Sequence, residues 1–170
     1  PILIVDFDST FIRDETLDEI AKLLLSSNRI SLENQKKITS ITNQAMEGKL
    51  DFREALKERI KLLDINKQDI SEITSILTER VSLSFIENKQ QIQKISKNIY
   101  IVSGGFKEII EPIAKDYNIP HNNIFANEFI YDHEGCIKGI NENALLSYSD
   151  GKIRAVKTFD LSSEAYVIGD

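Results

Sequence analysis

The stretch ILIVDFDST, Ile2 to Thr10, sets an unbroken apolar run against two carboxylates that flank a single phenylalanine. Four apolar residues in succession read as a short strand buried on both faces, the pattern of a parallel sheet. Asp6 and Asp8 therefore stand where a buried strand ends. A solvated turn accounts for them, and so does an active site; the rest of the chain decides between the two.

Strand character returns at Ile99 to Val102, which runs into Ser103-Gly104-Gly105 and then a helix through Ile109, Ile110, Ile113 and Tyr117. Pro112 falls inside that helix and is expected to kink it or weaken one turn. Ile124 to Tyr131 and Cys136 to Ile140 read as two strands joined by the turn Asp132-His133-Glu134-Gly135. A helix from Lys152 to Phe159 leads into a last strand, Ala165 to Ile168, and then Gly169-Asp170.

Between the first two strands the period is helical throughout. Leu17, Ile20, Ala21 and Leu24 share one face. Ser31 caps a helix carrying Ile38, Ile41 and Ala45, and Gly48 ends it. Asp51 with Glu54 makes a capping-box start for a helix that buries Phe52, Ala55, Leu56, Ile60 and Leu63. Ile70, Ile73 and Leu77 mark another helix, and Phe85 to Ser96 a further one.

Alternation outside this block predicts an α/β fold, Rossmann-like, with a mostly parallel sheet. The block is too long for one crossover helix. It reads as a helical cap inserted after the first strand, residues 14–85, on a core of residues 1–13 and 86–170.

With 170 residues and 41% hydrophobic content the chain can bury a sizeable core. The formal charge of −6 argues against a nucleic-acid surface, which needs a basic stripe. No apolar run approaches the roughly 18 residues of a membrane span, and no signal peptide is visible. One cysteine, Cys136, cannot form an internal disulfide and reads as a bystander in a strand, so a reducing, cytoplasmic setting is expected. Pro1 precedes a strand at once and Asp170 follows one, which reads as a piece of a longer chain.

In an open parallel sheet, ligands bind beyond the carboxyl ends of the strands. Three ends here are polar or glycine-rich: Asp6 to Thr10, Ser103 to Gly105, and Gly169-Asp170. Brought to one edge, Asp6, Asp8 and Asp170 repel one another unless a cation joins them. Oxygen ligands without histidine suit Mg²⁺. Ser103 and the Gly104 and Gly105 amides, placed where a helix begins, form an anion cradle. A hard cation beside an anion cradle reads as phosphate chemistry. Hydrolysis of phosphate monoesters needs accelerations of up to about 10²¹-fold, more than one carboxylate supplies.

Arg59 is flagged by its position alone. It shares the apolar face of Phe52, Leu56 and Leu63, where a charge needs a partner or a way out to water. A ligand carboxylate is one such partner, since Arg binds carboxylates in a bidentate fork.

These residues resemble the haloacid dehalogenase superfamily, in particular its phosphoserine phosphatase-like branch. DFDST is similar to the first motif, VSGGF to the second, and VIGD to the start of the fourth. The resemblance implies that Asp6 is a nucleophile forming an aspartyl-phosphate and that Asp8 is the general acid and base. It implies that Ser103, with Gly104, binds phosphate, and that Asp6, Asp8 and Asp170 hold Mg²⁺. DETLDE is similar to a cap stretch of that branch, which makes Glu15 a candidate for a substrate ammonium, and AMEGKLDFREALKERIKLL is similar to its cap helices, which makes Arg59 a candidate for the substrate carboxylate. Met46 and Phe52 resemble the apolar pocket lining. The third-motif lysine falls in DGKIRAVK, at Lys152 in preference to Lys157. Asn127, in FAN, also matches and receives no role.

The expected activity is that of a Mg²⁺-dependent phosphomonoesterase acting on a small phosphorylated metabolite, O-phosphoserine first. Alternatives are a phosphatase or phosphotransferase for another small ester, a phospho-accepting switch, and a non-catalytic module. Receiver domains gather carboxylates and Mg²⁺ on a parallel sheet too, yet carry no inserted block like residues 14–85.

Overall fold

The computed structural model describes residues 1–159, 162 and 164–169. Strand β1 (Ile2–Val5) is followed by six helices, α1 (Thr16–Ser26), α2 (Leu32–Met46), α3 (Phe52–Leu63), α4 (Asp69–Thr78), α5 (Leu83–Glu87) and α6 (Lys89–Ile95). Then come β2 (Ile99–Phe106), α7 (Lys107–Lys115), β3 (Ile124–Asn127), β4 (Phe129–Tyr131), β5 (Ile137–Ile140), α8 (Gly151–Val156) and β6 (Ala165–Ile168). The main sheet is parallel, in the order β3-β2-β1-β6, and β4 and β5 form a separate antiparallel pair.

The apolar run of β1 makes it a central strand, paired on both sides: Val5 lies level with Ile101 of β2 and with Ile168 of β6. The chain then turns in one wide helical turn, Phe7–Phe11, closed by the Ile12 N–H donating to the Phe7 carbonyl at 3.0 Å. Ser9 takes a left-handed φ of 55° inside it, a conformation that non-glycine residues adopt sparingly. Two aromatic anchors hold this turn down. Phe7 and Phe11 are fully buried and stack at 5.6 Å, and Phe11 also meets Phe85 at 4.4 Å and Tyr117 edge-on at 5.0 Å. Each such ring stabilises the fold by about 1.5–3 kcal/mol through burial. Anchoring the phenylalanines leaves the interleaved Asp6 and Asp8 on the opposite side of the turn.

The two connections of the helical block meet. Arg13 donates its N–H to the Arg80 carbonyl and Ser82 to the Phe11 carbonyl, both at 2.9 Å, and Ile12 bridges to Val81. Within the block α2 packs on α1 and α3, while α4 packs on α7. The caps are those the sequence predicts: Ser31 accepts from the Asn34 N–H at 3.0 Å, and Asp51 from the Glu54 N–H at 3.1 Å.

Four details differ from the sequence reading. First, β2 continues through Ser103-Gly104-Gly105 to Phe106, so the glycines lie in extended backbone rather than in the turn before the helix. Second, Ile124 to Tyr131 is two strands: β3 joins the main sheet, and the chain leaves it after Asn127 to pair β4 with β5. Third, the segment from Phe85 to Ser96 holds two short helices that meet at Asn88. Fourth, α8 ends at Val156, because Phe159 turns back to pack on Tyr100 at 4.7 Å and Phe125 at 4.8 Å. Among the described residues no helix is long and apolar enough to cross a membrane.

Candidate active site

A cavity of about 300 Å³ opens at the carboxyl ends of β1 and β2 and is roofed by α3. Its floor holds Asp6, Asp8, Ser103, Gly104 and Gly105; Lys152 comes in from α8; Glu15, Arg59, Met46 and Phe52 come from the helical block. Nine of the ten residues singled out in the sequence thus line one space. The tenth, Asp170, lies outside the described residues. Its neighbour Gly169 sits against Asp6, where an added Cβ would come within 3.1 Å of the Asp6 Cβ.

Asp6 is fixed at both oxygens. Its Oδ1 accepts from the Phe7 N–H at 2.7 Å, and Lys152 Nζ donates to Oδ2. Of the two lysines left open by the sequence, Lys152 is the one that pairs with Asp6, while Lys157 lines a largely apolar recess near β6 that Asp6 and Lys152 also border.

Asp8 is held by a residue that sequence reasoning passed over. Thr16, the first residue of α1, donates both its N–H, at 3.1 Å, and its hydroxyl to Asp8 Oδ1. Burial, and then the charge of Glu15, pushes the Asp8 carboxyl up from its ordinary value to about 7, against the pull of those two bonds. The available signal was a hydroxyl residue at a helix start just after DFDST. Glu15 itself accepts from the Ser9 hydroxyl at 2.7 Å.

The Ser103 hydroxyl oxygen accepts from the Gly105 N–H at 2.9 Å. A Cβ on Gly105 would stand 3.2 Å from Ser103 Oγ and 3.8 Å from Asp8 Oδ2. Ser103, Gly105 and Asp8 therefore converge on one point. Asn127, which had no role assigned, is wholly buried and braces this corner. Its amide donates to the Gly104 carbonyl at 3.0 Å and to the Leu146 carbonyl at 3.1 Å, tying β2 to the loop that precedes α8.

Across the cavity, Arg59 is 7% exposed and, among the described residues, makes no direct ion pair. Burial lowers its pKa from the ordinary value, opposed by the charges of Asp18, Asp8 and Glu15. Its Nε donates to the Ala55 carbonyl at 3.3 Å and its Nη1 to the Thr42 hydroxyl at 3.2 Å. Phe52 lies over Gly104 so closely that a Cβ there would be 2.8 Å from the ring. Met46, 66% exposed, stands at the rim.

Tyr148 lines the mouth. The guanidiniums of Arg53 and Arg154 pack on its ring at 4.2 and 4.3 Å. Arg53 further donates to the Ser147 hydroxyl at 2.8 Å, and Lys57 pairs with Glu142 at 3.2 Å, so α3 is strapped to the segment before α8. The remaining acidic cluster, Asp132 with Glu134 and Cys136, belongs to the β4–β5 turn, where the Asp132 carboxylate accepts from the N–H groups of Glu134 and Cys136.

Comparison with known proteins follows the same lines as the geometry. The model of the haloacid dehalogenase-like hydrolase family matches residues 3–170. The chain is 30% identical over 152 residues to human phosphoserine phosphatase, covering 89% of this chain and 64% of that protein. It is 32% identical over 152 residues to the chloroplastic phosphoserine phosphatase of Arabidopsis thaliana, covering 89% and 49%. The chain thus spans less than two thirds of these relatives. Among solved structures, a phosphoserine phosphohydrolase-like protein from Francisella tularensis superposes with a TM-score of 0.79 at 32% identity, over 98% of this chain and 76% of that one.

Proposed function

Because the chain belongs to the haloacid dehalogenase-like hydrolases, we propose that it is a Mg²⁺-dependent phosphomonoesterase that hydrolyses O-phosphoserine through an aspartyl-phosphate on Asp6. The observation that carries this reading is the lining of one cavity: two carboxylates, a lysine and a serine, with a glutamate and a buried arginine that makes no ion pair among the described residues. A small zwitterion bearing a phosphate matches this set of groups.

In this reading Asp6 Oδ attacks phosphorus and the bond from phosphorus to the serine oxygen breaks. Asp8, protonated, gives its proton to that leaving oxygen. The resulting Asp8 carboxylate then takes a proton from water, whose oxygen attacks the same phosphorus. The bond to Asp6 breaks, and phosphate leaves with Asp6 restored. Thr16 orients Asp8 for both transfers. Lys152 holds Asp6 in place and neutralises charge gathering on the phosphoryl oxygens. Ser103 and the Gly104 amide hold the phosphoryl group, Gly104 letting Phe52 close over it. Arg59 takes the substrate carboxylate and Glu15 its ammonium, with Met46 and Phe52 packing on the aliphatic carbon.

The donor set at the floor fits a hard divalent cation, since it offers carboxylate oxygens and no histidine or cysteine among the lining residues. Asp6, the Asp8 carbonyl and Asp170 would hold Mg²⁺, which when bound supplies neutralisation of phosphoryl charge. Residues 14–85 serve as a cap over the core of residues 1–13 and 86–170, excluding water for the first transfer and admitting it for the second.

The test is phosphate release from a panel of esters, with Mg²⁺ and with EDTA. Phosphoserine is expected to exceed phosphoethanolamine, which lacks the carboxylate, by about 10- to 100-fold in kcat/KM, the worth of one charged hydrogen-bonding partner. Release is expected to stop in EDTA. Metal-dependent release without that preference would keep the chemistry and discard phosphoserine. No release from any ester would discard the enzyme.

A further inference from the structure

Arg59 is the specificity-bearing cation of the proposed site, and its own support is unusual. A guanidinium this deeply buried is costly unless an anion compensates it. The carboxylate of Asp18 supplies part of that compensation without touching it. Between them stands one hydroxyl, on Thr42, which is 3% exposed. Its oxygen accepts from Arg59 Nη1 at 3.2 Å, and it lies 3.1 Å from Asp18 Oδ1 as donor. The same hydroxyl is 3.1 Å from the Ile38 carbonyl one turn back, but the charged carboxylate is the stronger acceptor. A threonine that bonds only its own helix needs no neighbours. This one joins three helices at a point, since Asp18 is on α1, Thr42 on α2 and Arg59 on α3.

The arrangement leaves Arg59 half used. Nε is spent on the Ala55 carbonyl and Nη1 on Thr42, while Nη2 has no hydrogen-bond partner among the described residues and the side chain lines the cavity. Two bonds fix the plane of the guanidinium, and the free edge is what a ligand meets.

We propose that Asp18 and Thr42 form a relay that orients Arg59, and so sets the preference of the site for phosphate esters that also carry a carboxylate. Neither residue touches substrate; both are positioning residues. The inference rests on the reading of Arg59 as the carboxylate-binding group. Its physical content is that a long, flexible side chain held in one rotamer loses less freedom on binding, so the relay acts on affinity for the carboxylate and not on the phosphoryl transfer itself.

Thr42→Val keeps the β-branched shape and removes the hydroxyl. The expected result is a rise of about tenfold in KM for phosphoserine, with kcat within about twofold, and an unchanged KM for phosphoethanolamine. Thr42→Ser, which restores the hydroxyl, is expected to return phosphoserine KM to its original value. Asp18→Asn keeps an oxygen acceptor and removes the charge, and is expected to shift phosphoserine KM in the same direction. If Thr42→Val does not fold, Asp18→Asn carries the same comparison of the two esters. Equal effects on both esters, or none on either, would overturn the relay. So would failure of Thr42→Ser to rescue. An unsubstituted protein that already treats the two esters alike would overturn the carboxylate reading of Arg59, and the relay with it, before any variant is made.

Discussion

Asp6→Asn is expected to cut phosphate release by at least about 10³-fold, since it removes the attacking oxyanion while keeping the volume and one oxygen of the side chain. The fold should survive. Asn can still accept from the Phe7 N–H, the bond that seats the start of the wide turn. What it loses is the ion pair with Lys152, and that lysine side chain is half exposed, so its ammonium can turn to water. Relief of repulsion against Asp8 offsets part of the loss. A melting temperature within about 4 °C of the parent, together with vanished turnover, is the expected pair of results. Turnover near the parent rate would end the proposed mechanism, because among the described residues no other carboxylate is tied to Lys152.

Gly151→Ala is expected to destabilise the fold by about 3 kcal/mol. The position opens α8, is buried, and packs on the turn of Leu145–Ser147. A Cβ there would lie 2.3 Å from the Leu145 carbonyl oxygen and 2.8 Å from the Leu146 Cα. Those are backbone atoms. They cannot swing away as the tip of Phe52 can from Gly104, so either the turn or the helix must shift. Because Lys152 is the next residue, the shift also draws the ammonium from Asp6. Urea unfolding should show a lower midpoint at unchanged slope, and residual phosphate release should fall further than the folded fraction does. A midpoint equal to the parent's would show that α8 can slide on its support without cost.

How much of this was readable from residues alone depended on whether the deciding physics was local. The run Ile2 to Val5 is short, apolar throughout and followed by carboxylates, which reads as a buried strand, and a strand end is where a parallel sheet places its ligands, so Asp6 and Asp8 were legible. Arg59 was legible because helical spacing put a charge on an apolar stripe. Thr16 was not, since its importance arises from the fold of the Phe7–Phe11 turn, which brings Asp8 back over the start of α1. The split after Asn127 was hidden for a related reason. Alternation in Ile124 to Tyr131 reports two faces but not which partner each half takes, and the halves take different sheets. The extended Gly104 and Gly105 look like turn residues in one dimension. In three they are small because a phenylalanine ring and a serine hydroxyl come to rest on them. The Arg53–Tyr148–Arg154 contact joins residues almost a hundred positions apart, beyond the reach of any spacing argument.

That last contact also gives the molecule a built-in optical reporter. The chain has no tryptophan and five tyrosines, so tyrosine emission is not drained by energy transfer to an indole. Tyr148 alone among the described tyrosines has guanidiniums on its ring and lines the cavity mouth. One of its two cations rides on α3 and the other on α8. Any displacement of α3 from the mouth removes a charge from beside a single chromophore, and the ultraviolet spectrum of the unlabelled protein carries that motion.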